Sequence, residues 1–235
     1  MRDTTKPTHT LPKLRILVVG ATRGTGRAAV QQLLEEGHHV TAFSRSAHKL
    51  DIESERLTLF SGDATNPADV ERAVAGHDAV VVTLGITENP IRVRIVGPAR
   101  TPIDVRSRGT ENVIAAMRKH GVRRLVVQTT FGVGSTRGQL GFMDRMFFSL
   151  LLKPQIDDTE VQNEAVVQSD LDWVIAQPVH LTDDEAAPMP FVSTAGETAN
   201  MKVSRSSVAR FLAQAATSPT YVRRSVAVSG AEAVR

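Results

Sequence analysis

Short, nearly unbroken apolar runs alternate along this chain with longer stretches in which apolar residues recur at helical spacing. The runs within Leu14–Val19, His39–Phe43, Arg56–Phe60, Asp78–Leu84, Arg124–Thr129 and Asp172–Ala176 have the composition of strands covered on both faces. Helical spacing follows the first run (Ala28, Ala29, Val30, Leu33, Leu34) and recurs around Asp69–Ala75, over Val105–His120 and over Asp157–Ser169. Gly121 stands where a glycine closes a helix. Toward the C-terminus the pattern predicts a short β pair near Phe191–Ser193 and Met201–Val203. A helix capped by Ser204 then reaches about Thr217, and Ser225–Val228 forms a last strand. Regular alternation of strand and helix predicts an α/β fold, a doubly wound, mostly parallel sheet with helices on both faces.

The stretch Leu14–Val40 carries the first chemistry. Its apolar run stops at Gly20, and glycine recurs at Gly24 and Gly26 as the helical pattern begins. Gly20 suits a tight turn, Gly24 lets the backbone approach a pyrophosphate, and Gly26 lets the helix sit close to the sheet. The free N–H groups of that helix start, with Thr22 and Thr25 beside them, are a phosphate cradle. With a strand on either side, the turn reads as a dinucleotide site.

The next strand end selects the cofactor. An NAD site places Asp or Glu there, for the ribose hydroxyls. Here the residues are Ser44, Arg45 and Ser46, with no acid. Arg45, joined by Arg23 from the glycine turn, matches a 2′-phosphate as a guanidinium fork does, so NADPH is expected over NADH. The alternative is that both arginines are solvated turn residues. Asp63, beside Ala64 at the third strand's end, either accepts from the adenine amino group or closes its own turn. Leu84 and Gly85 end the fourth run, where the backbone passes close to a ribose.

Residues 85–103 lack periodicity and carry Arg92, Arg94 and Arg100, with Arg106 just beyond. This basic loop either draws an acidic substrate to the site or is simply solvated. Gly141–Leu152, rich in Met and Phe, reads as a helix that walls an apolar pocket or as an ordinary core or dimer helix. Residues 1–13 read as a loose polar leader, and 14–235 as one domain.

Composition narrows the picture. A net charge of +3 from 28 basic and 25 acidic residues is no nucleic-acid-binding arm. No apolar run approaches a membrane span, and zero cysteines exclude disulfides, thiolate metal sites and thiol catalysis. The seven histidines are scattered, without metal-ligand spacing. A cytoplasmic monomer or homodimer acting on a small molecule, with no nucleic acid and no membrane as partner, is the expectation.

GATRGTG, GDATNPADVERAVAGHDAVVVTLG, GTENVIAAMRKHGVRRLVVQTT and DLDWVIAQPVH together resemble the atypical short-chain dehydrogenase/reductases. Within them the chain is similar to the NAD(P)H-binding group that includes biliverdin reductase B, also called flavin reductase. The resemblance covers roughly residues 14–230 and implies a seven-stranded Rossmann sheet, NADPH binding and reductase activity. It places Thr129 and Thr130 beside the nicotinamide, Thr130 at a position where that group has serine. It aligns His180 with a histidine of the group, a candidate proton or hydrogen-bond donor, and sets the backbone of Pro178 and Val179 near the nicotinamide amide. Thr130 is equally a plain strand residue, and a lone loop histidine is commonly structural. Glu164 stands where biliverdin reductase B has lysine. Arg23 stands where that group has glycine; the spacing here is that of larger short-chain reductases, in which a basic residue at this point goes with NADPH.

The usual Tyr-x-x-x-Lys pair is absent, and the single tyrosine is Tyr221. An NADPH-dependent oxidoreductase that passes hydride to a conjugated, flavin-like or quinone-like acceptor tolerates that absence, because the delocalised product can take its proton from solvent. A non-catalytic NADPH-binding sensor or scaffold is the alternative.

Overall fold

A computed structural model describes residues 12–86, 101–139, 141, 153–184 and 188–231. The chain runs β1 (Arg15–Val19), α1 (Gly24–Glu35), β2 (His39–Ser44), β3 (Leu57–Ser61), α2 (Pro67–Val74) and β4 (Ala79–Val82). It continues with α3 (Val105–His120), β5 (Arg124–Gln128), α4 (Lys153–Val167), β6 (Asp172–Pro178) and β7 (His180–Thr182). The last elements are β8 (Phe191–Ser193), β9 (Lys202–Ser204), α5 (Arg205–Thr217) and β10 (Arg224–Ser229).

The main sheet has the order β3-β2-β1-β4-β5-β6-β10-β8. Its first seven strands are parallel: six match the apolar runs, and the seventh, β10, contains the last strand expected at Ser225–Val228. Phe191–Ser193 adds an eighth, antiparallel to β10. The β pair expected from Phe191–Ser193 and Met201–Val203 is corrected here. The two segments do not join each other: β8 closes the open edge of β10, and β9 pairs in parallel with β7. Edge N–H and C=O groups take whatever partner the finished sheet exposes, so neighbours in sequence need not become neighbours in the ladder.

The central strands of the sheet feed two cores. Ile16 and Val18 of β1 face one hydrophobic cluster, with Ala29, Val30 and Leu33 of α1 and Phe211 and Leu212 of α5. Leu17 and Val19 face the other, with Val70 and Val74 of α2, Val113 and Met117 of α3 and Val166 of α4. The period-two alternation of a strand produces this division, and burying each such side chain contributes about 1.5–3 kcal/mol. α3 has the predicted bounds and ends at Gly121 with φ 69°. Ser204 caps α5, accepting from the Ser207 N–H at 3.0 Å. α4 contains Lys153 and Pro154 ahead of its expected start, since proline is tolerated in a first turn. The helix expected over Gly141–Leu152 lies outside the described residues apart from Gly141, as do Arg92, Arg94 and Arg100. Among the described residues no helix is long and apolar enough to cross a membrane.

Candidate functional site

The strand order reverses at β1 and β4, and a doubly wound sheet binds its ligand beyond the carboxyl ends of the strands at that point. A cleft of about 670 Å³ opens there. Two glycines shape its floor. Gly20 has φ +90°, and a Cβ on it would lie 2.8 Å from the Thr83 carbonyl oxygen. A Cβ on Gly26 would collide with the Gly20 carbonyl oxygen. The turn therefore tolerates no side chain at either place, and α1 starts directly on the end of the sheet. Its N-cap, Arg23, makes no side-chain hydrogen bond to the first turn, and that turn holds no acid. The helix start keeps donors for an outside anion.

Basic residues stand where helix dipoles disfavour them. Arg23 is the N-cap of α1, Arg106 is the second residue of α3 and Arg205 is the first of α5; none of the three first turns carries an acidic side chain. All three line the cleft, and Arg45 joins them from the end of β2. Arg45 Nη2 donates to Thr101 Oγ1 at 2.9 Å, which ties the β2 end to the segment before α3. Arg205 Nη1 pairs with Asp183 at 2.6 Å, and its Nε lies 3.4 Å from where a Gly24 Cβ would be. Guanidiniums and helix N-termini around one cleft are donors suited to anionic ligands.

Arg106 is held from behind. Asp158 on α4 accepts from the main-chain N–H groups of Arg106 and Ser107, each at 3.1 Å, and from the Ser107 hydroxyl. This carboxylate, 7% exposed, caps α3 in place of Asp104, whose own side chain makes no cap. Burial pushes the Arg106 guanidinium below its ordinary value, and Asp158 opposes the shift. An arginine so placed stays charged.

Most residues expected at the site come together. Gly20, Thr22, Arg23, Gly24 and Thr25 line the cleft, with Gly26 packed beneath them. Ser44, Arg45, Asp63, Ala64, Leu84, Gly85 and Thr129 line it too. Asp63 also closes its own turn, since its Oδ1 accepts from the Thr65 N–H at 2.9 Å and hydroxyl at 2.8 Å.

Besides Gly26, four expected residues stand outside the lining. Thr130 donates to the Phe131 carbonyl at 3.4 Å. The Pro178 carbonyl accepts from the Phe131 N–H, and the Val179 N–H donates to Val228, so these main-chain groups serve the sheet and its turn. His180 is exposed, while the next residue of β7, Leu181, lines the cleft, as strand alternation requires. Tyr221 packs on Phe211 with ring centroids 5.4 Å apart and takes no part in the cleft.

Sequence reasoning missed Arg205, Gln128 and Leu181, and named Arg106 only as part of a basic loop. Arg205 did leave a signal, a cation directly after a helix N-cap. Three buried polar atoms of lining residues have no hydrogen-bond partner among the described residues: Arg106 Nη1, Gln128 Oε1 and Thr129 Oγ1. Buried polar atoms are ordinarily paired, so the three together mark a place that a ligand completes.

Comparisons with known proteins agree with this geometry. A family model described as NAD(P)H-binding matches residues 20–219. The 2-alkyl-3-oxoalkanoate reductase of Stenotrophomonas maltophilia is 37% identical over 117 residues, 50% of this chain and 33% of that protein. The 3-beta-hydroxysteroid dehydrogenase of Mycolicibacterium neoaurum is 35% identical over 119 residues, 48% of this chain and 31% of its own. The chain thus spans about a third of the length of these two relatives. Among solved structures, a wide-type short-chain dehydrogenase/reductase from Veillonella parvula in complex with NADP superposes with TM-score 0.73 at 17% identity, over 94% of this chain and 95% of its own. The anaerobillin reductase ChuY of Escherichia coli O157:H7 superposes with TM-score 0.73 at 20% identity, over 94% and 99%. These two likenesses are likenesses of fold.

Proposed function

The chain belongs to the NAD(P)H-binding family, and on that premise we propose that it is an NADPH-dependent reductase acting on a conjugated, flavin-like or quinone-like small molecule. The observation that carries this reading is the set of guanidiniums around a glycine turn with no room for a side chain at Gly20 or Gly26, at the point where the strand order reverses. Arg45 and Arg23 hold the 2′-phosphate. The N–H groups at the start of α1 hold the pyrophosphate, with Arg205 above Gly24 as a further cation. Asp63, Ala64 and Leu84 border the adenine, and Gly85 leaves room for ribose. A carboxamide has one donor end and one acceptor end, which suits the unpaired Gln128 Oε1 and Thr129 Oγ1.

Bound NADPH supplies the hydride. The protein's own work is to orient the two rings and exclude water. Thr129 fixes one side of the site, and Leu181 contributes apolar wall. Because neither Tyr221 nor His180 lines the cleft, the reduced acceptor takes its proton from solvent, which a delocalised anion can await. The S. maltophilia and M. neoaurum relatives carry reductase and dehydrogenase names, and the E. coli neighbour of like fold is named a reductase of an anaerobillin.

Anaerobic mixing of the purified protein with NADPH and a panel of flavins, quinones and enones tests the proposal. Loss of the reduced nicotinamide absorbance with at least one acceptor is expected. A second reading, a non-catalytic NADPH-binding protein, is favoured by the seating of Tyr221 against Phe211. Tight NADPH binding without turnover of any acceptor would select it.

A further inference from the structure

Four arginines line the cleft, and the proposed cofactor site uses three of them, Arg23, Arg45 and Arg205. Arg45 has Thr101, and Arg205 has Asp183 and stands over Gly24. Arg106 lines the cleft from the start of α3, with its Nη2 3.3 Å from where a Gly85 Cβ would be. Its Nη1 is buried without a hydrogen-bond partner among the described residues. Among the described residues the one carboxylate hydrogen-bonded to this part of α3 is Asp158, and its oxygens are spent on the main chain of Arg106 and Ser107 and on the Ser107 hydroxyl. An unsatisfied charged donor out of water is costly, so its retention needs a partner that arrives with a ligand.

We infer that Arg106 selects the acceptor: its guanidinium binds the carboxylate of an acidic, flat substrate, and the enzyme prefers acceptors that carry one. This inference rests on the reductase reading for the identity of its ligand. A guanidinium fork matches a carboxylate in two parallel hydrogen bonds. A singly charged carboxylate also suits a desolvated pocket better than a doubly charged phosphate, whose removal from water costs more. Gln128 and Thr129 line the same cleft and remain for the redox end of the complex.

The test uses anthraquinone-2-carboxylate and its methyl ester as probes, titrated calorimetrically into protein saturated with NADP⁺. The wild type should bind the acid about tenfold or more tightly than the ester, the worth of a charged hydrogen bond. Arg106→Gln should weaken the acid about 10- to 100-fold and leave the ester and NADP⁺ within about twofold. Arg106→Lys keeps the charge without the fork and should show an intermediate acid-to-ester ratio; it carries the test if the glutamine variant does not fold. Equal binding of acid and ester by the wild type overturns the inference, as does failure of the acid to bind. A loss of NADP⁺ affinity in Arg106→Gln that matches the loss for the acid also overturns it and assigns the guanidinium to a cofactor phosphate. Selective binding of the acid without oxidation of NADPH would leave Arg106 as the anion site and would count against the reductase reading alone.

Discussion

Gly26 and Thr83 face each other across the glycine turn: a Cβ on Gly26 would lie 2.6 Å from Thr83 Oγ1, the atom that donates to the Val19 carbonyl at 3.0 Å. The start of α1, the end of β1 and the end of β4 are packed on that missing side chain. Gly26→Ala should lower stability by about 1–3 kcal/mol, as overpacking does, and weaken NADPH binding in parallel. Gly138→Ala is the control, since a Cβ there meets nothing within 4 Å. Chemical denaturation with and without NADPH reads both effects, and an unchanged Gly26→Ala would contradict this packing.

Asp158 should be worth more than an ordinary surface acid. Removing it takes away the cap of α3 and leaves Arg106 in a buried setting with less counter-charge. Asp158→Ala should cost about 1–3 kcal/mol, the range for buried donors left without their acceptor. Asp172→Ala, which removes the exposed pair with Arg123, should cost clearly less. Equal losses in the two variants would mean that the α3 cap carries no special weight.

The cleft separates two threonines and a histidine by role. Thr129→Val removes a buried, unpaired hydroxyl from the lining and should lower turnover about tenfold through the lost hydrogen bond to ligand. Thr130→Val and His180→Ala alter groups outside it and should leave kcat close to wild type. A collapse of kcat in His180→Ala would restore that residue as proton donor.

Acid should destabilise the fold through two histidines. Burial holds His38 below its ordinary value of 6.5, and its Nδ1 must stay unprotonated to accept from the Leu14 N–H at 3.2 Å. Burial also lowers His77, against the opposing effect of its main-chain bond to Val74; its Nε2 lies 2.8 Å from Thr41 Oγ1. The unfolded chain then takes up protons at these sites before the folded one does. Stability is therefore full above about pH 6.5 and falls as the pH drops through and below that value. The double variant His38→Asn, His77→Gln should flatten this part of the profile in urea unfolding at stepped pH. An identical slope in the variant would place the acid sensitivity elsewhere.

Much of this arrangement is legible along the chain because the physics that produces it is local. The β1–turn–α1 unit, the bounds of α3 and the Ser204 cap each follow from periodicity, glycine and side-chain oxygen at fixed offsets. The pairing of β8 with β10 and β9 with β7 is not local, since it depends on which sheet edge the rest of the fold leaves open. The same holds for the cleft. Arg205 comes to Gly24 only because α5 packs beside α1, and Arg106 is aimed by a carboxylate from α4. Neither distance is written in the intervening sequence. What the sequence did carry for both is an electrostatic anomaly, an arginine in the first turn of a helix.

Calorimetric titration with NADPH and with NADH, on the wild type and on Arg45→Ala and Arg23→Ala, tests the central claim most directly. A 2′-phosphate held by guanidiniums should make NADPH bind about 10- to 100-fold more tightly than NADH. That preference should shrink toward unity in the variants, with NADH affinity little changed. Equal affinity of the wild type for the two nucleotides would contradict the phosphate clamp, and binding of neither would contradict the site itself.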